Sequence, residues 1–158
     1  ALQVVGDDNT VYLKKPMSSS ELGQSIRSAE AFLNRMEAYA LSGEEGLALT
    51  ELNAFRKTRV IGYTDVNLSG QALLDEIRLE RRKELCFEGH RWFDLRRQGM
   101  PEIKHTYKAE KGGAVYEYVL QQGDPMYTLP FPNSVVLQNR ALVQNPSREM
   151  GARQGEIQ

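Results

Sequence analysis

Cysteine is nearly absent from this sequence. Cys86 stands alone, so the chain can form no internal disulfide and no cysteine-based metal site. Histidine is almost as scarce: His90 and His105 are the only two, and neither belongs to a His-x-x-x-His or Glu-x-x-His pattern that puts two ligands on one helix face. Neither charge is in surplus, since 20 basic side chains face 21 acidic ones. A protein that grips nucleic acid through its phosphates draws on an excess of Lys and Arg to release counterions, so no nucleic-acid partner is expected. No apolar run approaches the ~18 residues that a membrane-spanning helix needs. Gly112-Gly113 is not followed by the Lys-Ser or Lys-Thr of a phosphate-binding loop. The first residues, from Ala1, hold no basic stretch leading into an apolar core, so no signal peptide is read there. No metal or cofactor is expected.

What remains is the composition of an ordinary globular domain, 41% hydrophobic and 26% charged. Residues 1–17 read as an irregular or strand-like lead-in, with a turn at Gly6-Asp7-Asp8-Asn9 and a short strand at Val11-Tyr12-Leu13. Ser18 and Glu21 have capping-box spacing, which predicts a helix start. Leu22, Ile26, Ala29, Leu33, Met36 and Ala40 follow at intervals of four and three, one buried stripe that Gly43 closes. A second helix is predicted from about Leu47 to Arg59, with Ala48, Leu52 and Phe55 inward and Gly62 beyond its end. The short connection makes the two an antiparallel hairpin. The string from Ala29 to Arg59 has the small residues, Gly and Tyr of a tetratricopeptide-like unit, and no second copy is present. Such units stack to bury both faces, so a neighbour is expected.

A third, long helix is predicted from Gly70 to Arg97, capped by Ser69 and ended by Gly99-Met100-Pro101. Leu74, Ile77, Leu85, Trp92 and Leu95 form one stripe on it, and Leu79, Cys86 and Phe93 a second, so burial on both sides is expected. Glu76, Glu80, Glu84 and Glu88 stand four apart, a ladder of like charge that an isolated helix disfavours. Six acidic and seven basic side chains lie between residues 75 and 97. The ladder is tolerable where arginines face it, so Glu80, Arg81, Glu84, Glu88 and Arg91 are assigned to an internal charge network. Arg27, Arg35, Arg56 and Arg59 are its candidate partners on the first two helices.

Beyond Pro101 the texture changes. Val115 to Val119 alternates like a strand after a tight turn at Lys111-Gly112-Gly113. Residues 124–132 carry three prolines and read as extended or polyproline-like. A helical turn is expected near Asn133–Gln138, and residues 147–158 read as a frayed tail. Tyr107, Tyr116, Tyr118 and Tyr127 cluster in this segment. A phenol ring offers a flat apolar face with a polar tip, useful for stacking on sugar rings or for packing a strand on helices. The residues alone leave both uses open.

Glu84 and Glu88 could make an acid/base pair, but a hydrolytic pair needs a cleft and a raised carboxyl pKa. Structural ion pairing is the preferred account of both. No catalytic residue is assigned, and the chain is read as a non-enzyme.

Residues 73–97 (LLDEIRLERRKELCFEGHRWFDLRR) resemble the signature helix of the SusD/RagB family, the surface glycan-binding lipoproteins of bacterial polysaccharide-utilisation systems. Glu80-Arg81-Arg82, Glu84-Leu85 and Glu88-Gly89-His90-Arg91-Trp92-Phe93-Asp94-Leu95-Arg96-Arg97 stand in the family's order. Upstream, Ala29-Glu30-Ala31, Glu37-Ala38-Tyr39-Ala40, Leu52-Asn53 and Arg56 look like its last tetratricopeptide-type pair. Downstream, Leu129-Pro130-Phe131-Pro132 and Gln144-Asn145-Pro146 look like its closing segment, although Asn133-Ser134-Val135 replaces the usual Gln-Ser-Glu and Asn139-Arg140 the usual Asn-Pro.

The resemblance implies a mainly α, SusD-like fold: a tetratricopeptide-like hairpin and a long buried helix over residues 18–146, with a small strand and Pro-rich closing segment. It also implies a non-catalytic oligosaccharide-binding lipoprotein of the outer membrane, anchored upstream of this chain, that hands its ligand to a TonB-dependent SusC-like transporter. This segment would be the C-terminal scaffold. The matched motif residues carry no ligand contact, so the glycan-binding candidates, Tyr107, Tyr116 and Tyr118, rest on chemistry alone. The alternative is a tetratricopeptide-like adaptor that binds protein and has no glycan affinity.

Overall fold

The structure, a computed structural model, describes residues 2–5, 11–14, 27–139, 141–149 and 155–157. It divides into two compact units, Ala1–His90 and Arg91–Gln158. No helix among the described residues is long and apolar enough to cross a membrane.

The first unit opens with a hairpin in which β1 (Leu2–Val5) pairs antiparallel with β2 (Val11–Lys14). The strand expected at Val11-Tyr12-Leu13 is there; the turn expected at Gly6–Asn9 lies outside the described residues, as do Ser18, Glu21, Leu22 and Ile26. Helix α1 runs Ser28–Leu41, and Arg27 before it is extended (φ −100°, ψ 143°). The helix therefore starts at Ser28, and no continuous helix runs from Ser18. Gly43, at φ +85°, turns the chain into α2 (Glu45–Lys57), completing the expected hairpin. Helix α3 follows at Gly70–Glu84; Ser69 holds the N-cap position but its side chain makes no cap bond.

Nine side chains from these helices and the turn after α3 meet in one cluster: Ala29, Leu33, Met36, Ala48, Leu52, Phe55, Leu73, Ile77 and Leu85. Burying a Leu, Ile, Phe or Met side chain contributes about 1.5–3 kcal/mol, so this cluster is the main cohesive element of the unit. Buried Asn53 pins the loop between α2 and α3. Its amide exchanges two 3.0 Å hydrogen bonds with the backbone of Val66 and accepts a third from the Tyr63 hydroxyl.

The long helix expected from Gly70 to Arg97 is broken. Helix α3 ends at Glu84, and α4 (Arg91–Arg97) begins in the second unit. Between them Phe87 (φ +66°) and Gly89 (φ +79°) adopt left-handed backbone, which a helix cannot contain. The carbonyl left free at that end is met by a group distant in sequence. The last carbonyls of a helix have no internal partner, and Arg27 Nη2 donates to the Glu84 carbonyl at 3.0 Å. The two-sided burial expected for this segment is also corrected: Leu79, Phe87 and Phe93 are exposed, and α3 buries Leu73, Ile77, Glu80 and Arg81.

The second unit holds a three-stranded antiparallel sheet, ordered β3–β4–β5. β3 (Ile103–Lys108), which the sequence reading passed over, pairs along its whole length with β4 (Val115–Leu120). β5 (Glu156–Ile157) pairs with Tyr116 and Glu117. Of the residues read as a frayed tail, β5 is thus a strand, and Pro146–Glu149 is a 3-10 turn whose Ser147 hydroxyl donates to the Thr128 carbonyl at 2.6 Å. The Pro-rich stretch is extended only in part. Pro125–Tyr127 is a 3-10 turn, capped by Asp124 Oδ1, which accepts from Met126 N at 2.8 Å. Further on, Gln144 bonds both backbone groups of Phe131, standing in for a strand partner. The short helix expected at Asn133–Gln138 is α5.

Candidate functional site

Two groups of residues carry the chemistry, one in each unit. The first is the glutamate ladder of α3. Arg56 on α2, itself buried, gives Nε to Glu80 Oε2 at 2.7 Å and also bonds Glu76. Arg59 Nε reaches Glu84 Oε2 at 3.1 Å. Arg27 spans two rungs, with Nη1 at 3.2 Å from Glu84 and Nη2 at 2.9 Å from Glu88. Arg81 Nη1 donates to Asn34 Oδ1 at 2.8 Å, with Nη2 at 3.6 Å from Glu30, and Arg78 meets buried Glu37 at 3.0 Å. Three of the four arginines expected to face the ladder do so; Arg35 pairs instead with Glu51 across α1 and α2. Arg91 opens α4 in the second unit.

The electrostatics agree with the geometry. Burial drives the Glu84 carboxyl upward, but the hydrogen bond and charge of Arg59, then Arg27, outweigh it and hold the pKa below its ordinary value. Burial likewise opposes the Arg56 charge, yet its bonds to Glu76, Tyr63 and Glu80 leave the guanidinium more basic than usual. A general acid needs the reverse, a carboxyl kept protonated near neutrality. His90 stands 3.7 Å from Glu30. Among the described residues no group of three or more His, Cys, Asp or Glu side chains is arranged to hold a metal.

The second group is on the sheet. Residues directly opposite on paired strands share a face, and alternate residues along one strand do too. The register pairs Ile103 with Leu120, His105 with Tyr118, Tyr107 with Tyr116, and Tyr116 with Ile157. All three candidate tyrosines thus fall on one face, together with His105. Lys104, Thr106, Lys108, Val115, Glu117, Val119 and Glu156 fall on the other. Tyr107 is 57% exposed and Tyr118 37%; Tyr116 is half-buried and His105 exposed.

Gly155 completes this face. A Cβ there would stand 2.8 Å from two atoms of the Tyr118 ring and 2.9 Å from Tyr116 Cβ. The ring occupies the space that a side chain at 155 would need.

The fourth tyrosine of the sequence cluster is elsewhere. Tyr127 is 1% exposed and stacks on Trp92, with ring centroids 4.9 Å apart and planes at 23°. Its hydroxyl donates to the Pro101 carbonyl. Burial pushes its phenol pKa up, with Asp124 adding to the rise and Arg91 opposing it. The contribution of His105 was missed because β3 was. Its two-residue spacing from Tyr107 was the available signal.

An open apolar groove of about 420 Å³ lies along α1 and α2, lined among others by Phe32, Arg35, Phe55 and Arg59. Arg35 sits over the Phe32 ring at 5.0 Å and Arg59 over Phe55 at 4.6 Å, so cations clad its aromatic wall.

A model of the SusD family matches residues 12–147. Among solved structures, a SusD-like protein from Bacteroides fragilis is similar at 27% identity and a TM-score of 0.57. The match covers 77% of this chain and 25% of that one, so the chain spans about a quarter of that protein's length. No curated protein matches the sequence.

Proposed function

The chain belongs to the SusD family, and from that membership we propose that it is part of a non-catalytic oligosaccharide-binding protein of an outer-membrane nutrient uptake system. In this reading the whole protein is a surface lipoprotein that captures glycan and passes it to a TonB-dependent SusC-like transporter. The helical unit is scaffold, with Glu80, Arg81 and Glu84 tying α3 to its neighbours, Glu88 joining the turn after α3 to Arg27, and Arg91 serving at the start of α4. Tyr107, Tyr116 and Tyr118 contact the sugar.

The observation that carries the assignment is the register of β3 and β4, which turns three tyrosines toward one face in a chain of this family. Two of those rings are open to solvent, and an aromatic face that ends in a hydroxyl suits a ligand with both C–H faces and hydroxyl edges. The engagement of Glu84 by two arginines supports the absence of catalysis, since it favours the charged carboxylate. Incubation with a panel of oligosaccharides, followed by chromatography of both bound and free sugar, tests the proposal. Binding with every glycan recovered at its original length is the expected result. Shorter products, or no affinity for any saccharide, would overturn it.

The second reading, a protein-binding adaptor, draws on the groove along α1 and α2. It predicts a stable protein complex that survives substitution of all three tyrosines and is lost on Phe32→Asp.

A further inference from the structure

We infer that the tyrosine face of the sheet is a preformed stacking platform for neutral saccharides, to which His105 and Gly155 belong as much as the tyrosines do. The inference rests on the glycan-binding reading above and narrows it to a class of sugar and a set of residues.

Charge comes first. The face formed by Ile103, His105, Tyr107, Tyr116, Tyr118, Leu120 and Ile157 holds no Lys, Arg, Asp or Glu. The strands are not poor in charge: Lys104, Lys108, Glu117 and Glu156 all lie on the opposite face, with Lys104 held 3.2 Å from Glu102. The alternation therefore sorts charge away from the rings. A uronate or sulfated sugar laid on this face would lose water from its anion and meet no guanidinium or ammonium on the face in return, a costly exchange. A neutral hexose has no such cost. Its C–H face covers the rings, and its hydroxyls reach the phenol oxygens and the His105 nitrogens, which can both donate and accept.

Preorganisation is the second argument. The Tyr118 ring fills the side-chain space above Gly155, which limits where it can move. Directly opposite pairs bring Tyr107 to Tyr116 and His105 to Tyr118, four rings in two adjoining rows across two strands. Rings already held in place lose little freedom when a ligand covers them, and this raises affinity without new contacts.

Saturation-transfer NMR and calorimetry on the whole chain form the test. The probes are neutral maltohexaose, cellohexaose, xylohexaose and mannohexaose, and anionic hexagalacturonate and a chondroitin sulfate hexasaccharide. At least one neutral probe should bind, at least tenfold more tightly than either anionic one. Tyr107→Ala and Tyr118→Ala should each weaken binding roughly three- to tenfold, the range of one aromatic contact. Tyr107→Phe, which keeps the ring and loses only the phenol oxygen, should weaken binding less than Tyr107→Ala does. Gly155→Ala should weaken binding by displacing the Tyr118 ring. Thr106→Ala, on the opposite face, should change nothing, and unchanged melting curves should show that the variants are folded.

Preference for an anionic probe, or neutral binding that survives both tyrosine-to-alanine changes, would overturn this inference and leave the glycan-binding reading intact. No affinity for any of the six probes, with self-association of the chain abolished by Tyr107→Ala, would instead assign the face to protein and overturn both.

Discussion

In the helical unit nine apolar side chains meet in one cluster, whereas the second unit buries only Leu95 and Tyr127 among its described hydrophobic residues. The helical unit closes over its core with ion pairs that join residues far apart in sequence, such as Arg56 with Glu80 and Arg27 with Glu84 and Glu88. The second unit is held by a stacked Trp92–Tyr127 pair and by side chains that clasp backbone: Gln144 on Phe131, Asn145 on Leu129, Ser147 on Thr128. One region gathers a large apolar cluster inward and neutralises its charges, although Phe32, Ile61 and Phe87 stay exposed. The other satisfies its backbone with polar side chains and leaves Tyr107 and Tyr118 facing water. A packed interior and an exposed aromatic face are thus divided along the chain.

The division can be broken at Arg56. Removing one member of a buried pair strands the other charge, at about 3–5 kcal/mol. Arg56→Met should destabilise the helical unit by that amount in urea unfolding, because Glu80 is only 8% exposed. Lys57→Met removes an exposed pair with Asp65 and should cost about 0–1 kcal/mol, so equal effects would refute the distinction.

Leu33, fully buried in the nine-residue cluster, comes next. Leu33→Ala should cost about 2–5 kcal/mol and speed amide exchange throughout α1, α2 and α3. The sheet serves as the internal control: amides of β3 and β4 exchanging faster by the same factor would deny that the two units have separate interiors.

A pH titration sharpens the electrostatic half of the comparison. The folded pKa of Glu84 lies below its ordinary value. Its contribution is therefore complete above the unfolded glutamate value of about 4.3 and is lost as pH falls through that value toward the folded one. The urea midpoint of the helical unit should drop over that acid range, and Glu84→Gln should flatten the drop. A profile that Glu84→Gln leaves unchanged would remove Glu84 from the account.

The smallest effect expected is at the break after α3. Phe87 is 59% exposed at φ +66°, a backbone that costs a residue other than glycine about 1–2 kcal/mol. Phe87→Gly should raise stability by about 1 kcal/mol or less, since glycine also gains freedom in the unfolded chain. A lower melting temperature would show that the ring contributes more than its backbone costs.

Much of the helical unit was legible beforehand. Ala29, Leu33 and Met36 recur at helical spacing, as do Ala48, Leu52 and Phe55, and all six are buried. The glutamates at four-residue intervals called for arginines, and Arg27, Arg56 and Arg59 answer them. The break after Glu84 was not legible, because apolar periodicity runs on through Trp92 and Leu95. The backbone turns left-handed at Phe87 and Gly89, and the Glu84 carbonyl is bonded by Arg27, 57 residues away in sequence. The tyrosine face of the sheet was half legible. The tyrosines drew notice by their chemistry, but β3 shows little apolar alternation and was passed over, and His105 with it.

By itself the sequence determined the two helices of the hairpin, the need to compensate four glutamates, the strand at Val115–Val119 and the turns at Gly43 and Gly62, because each depends on neighbours within a few residues. Only the tertiary structure decided which arginine meets which glutamate, where α3 stops, that Tyr127 is core while Tyr107 and Tyr118 are surface, and that Gly155 seats a ring. Those outcomes depend on groups distant in sequence and brought together by folding, and no local pattern encodes such a distance.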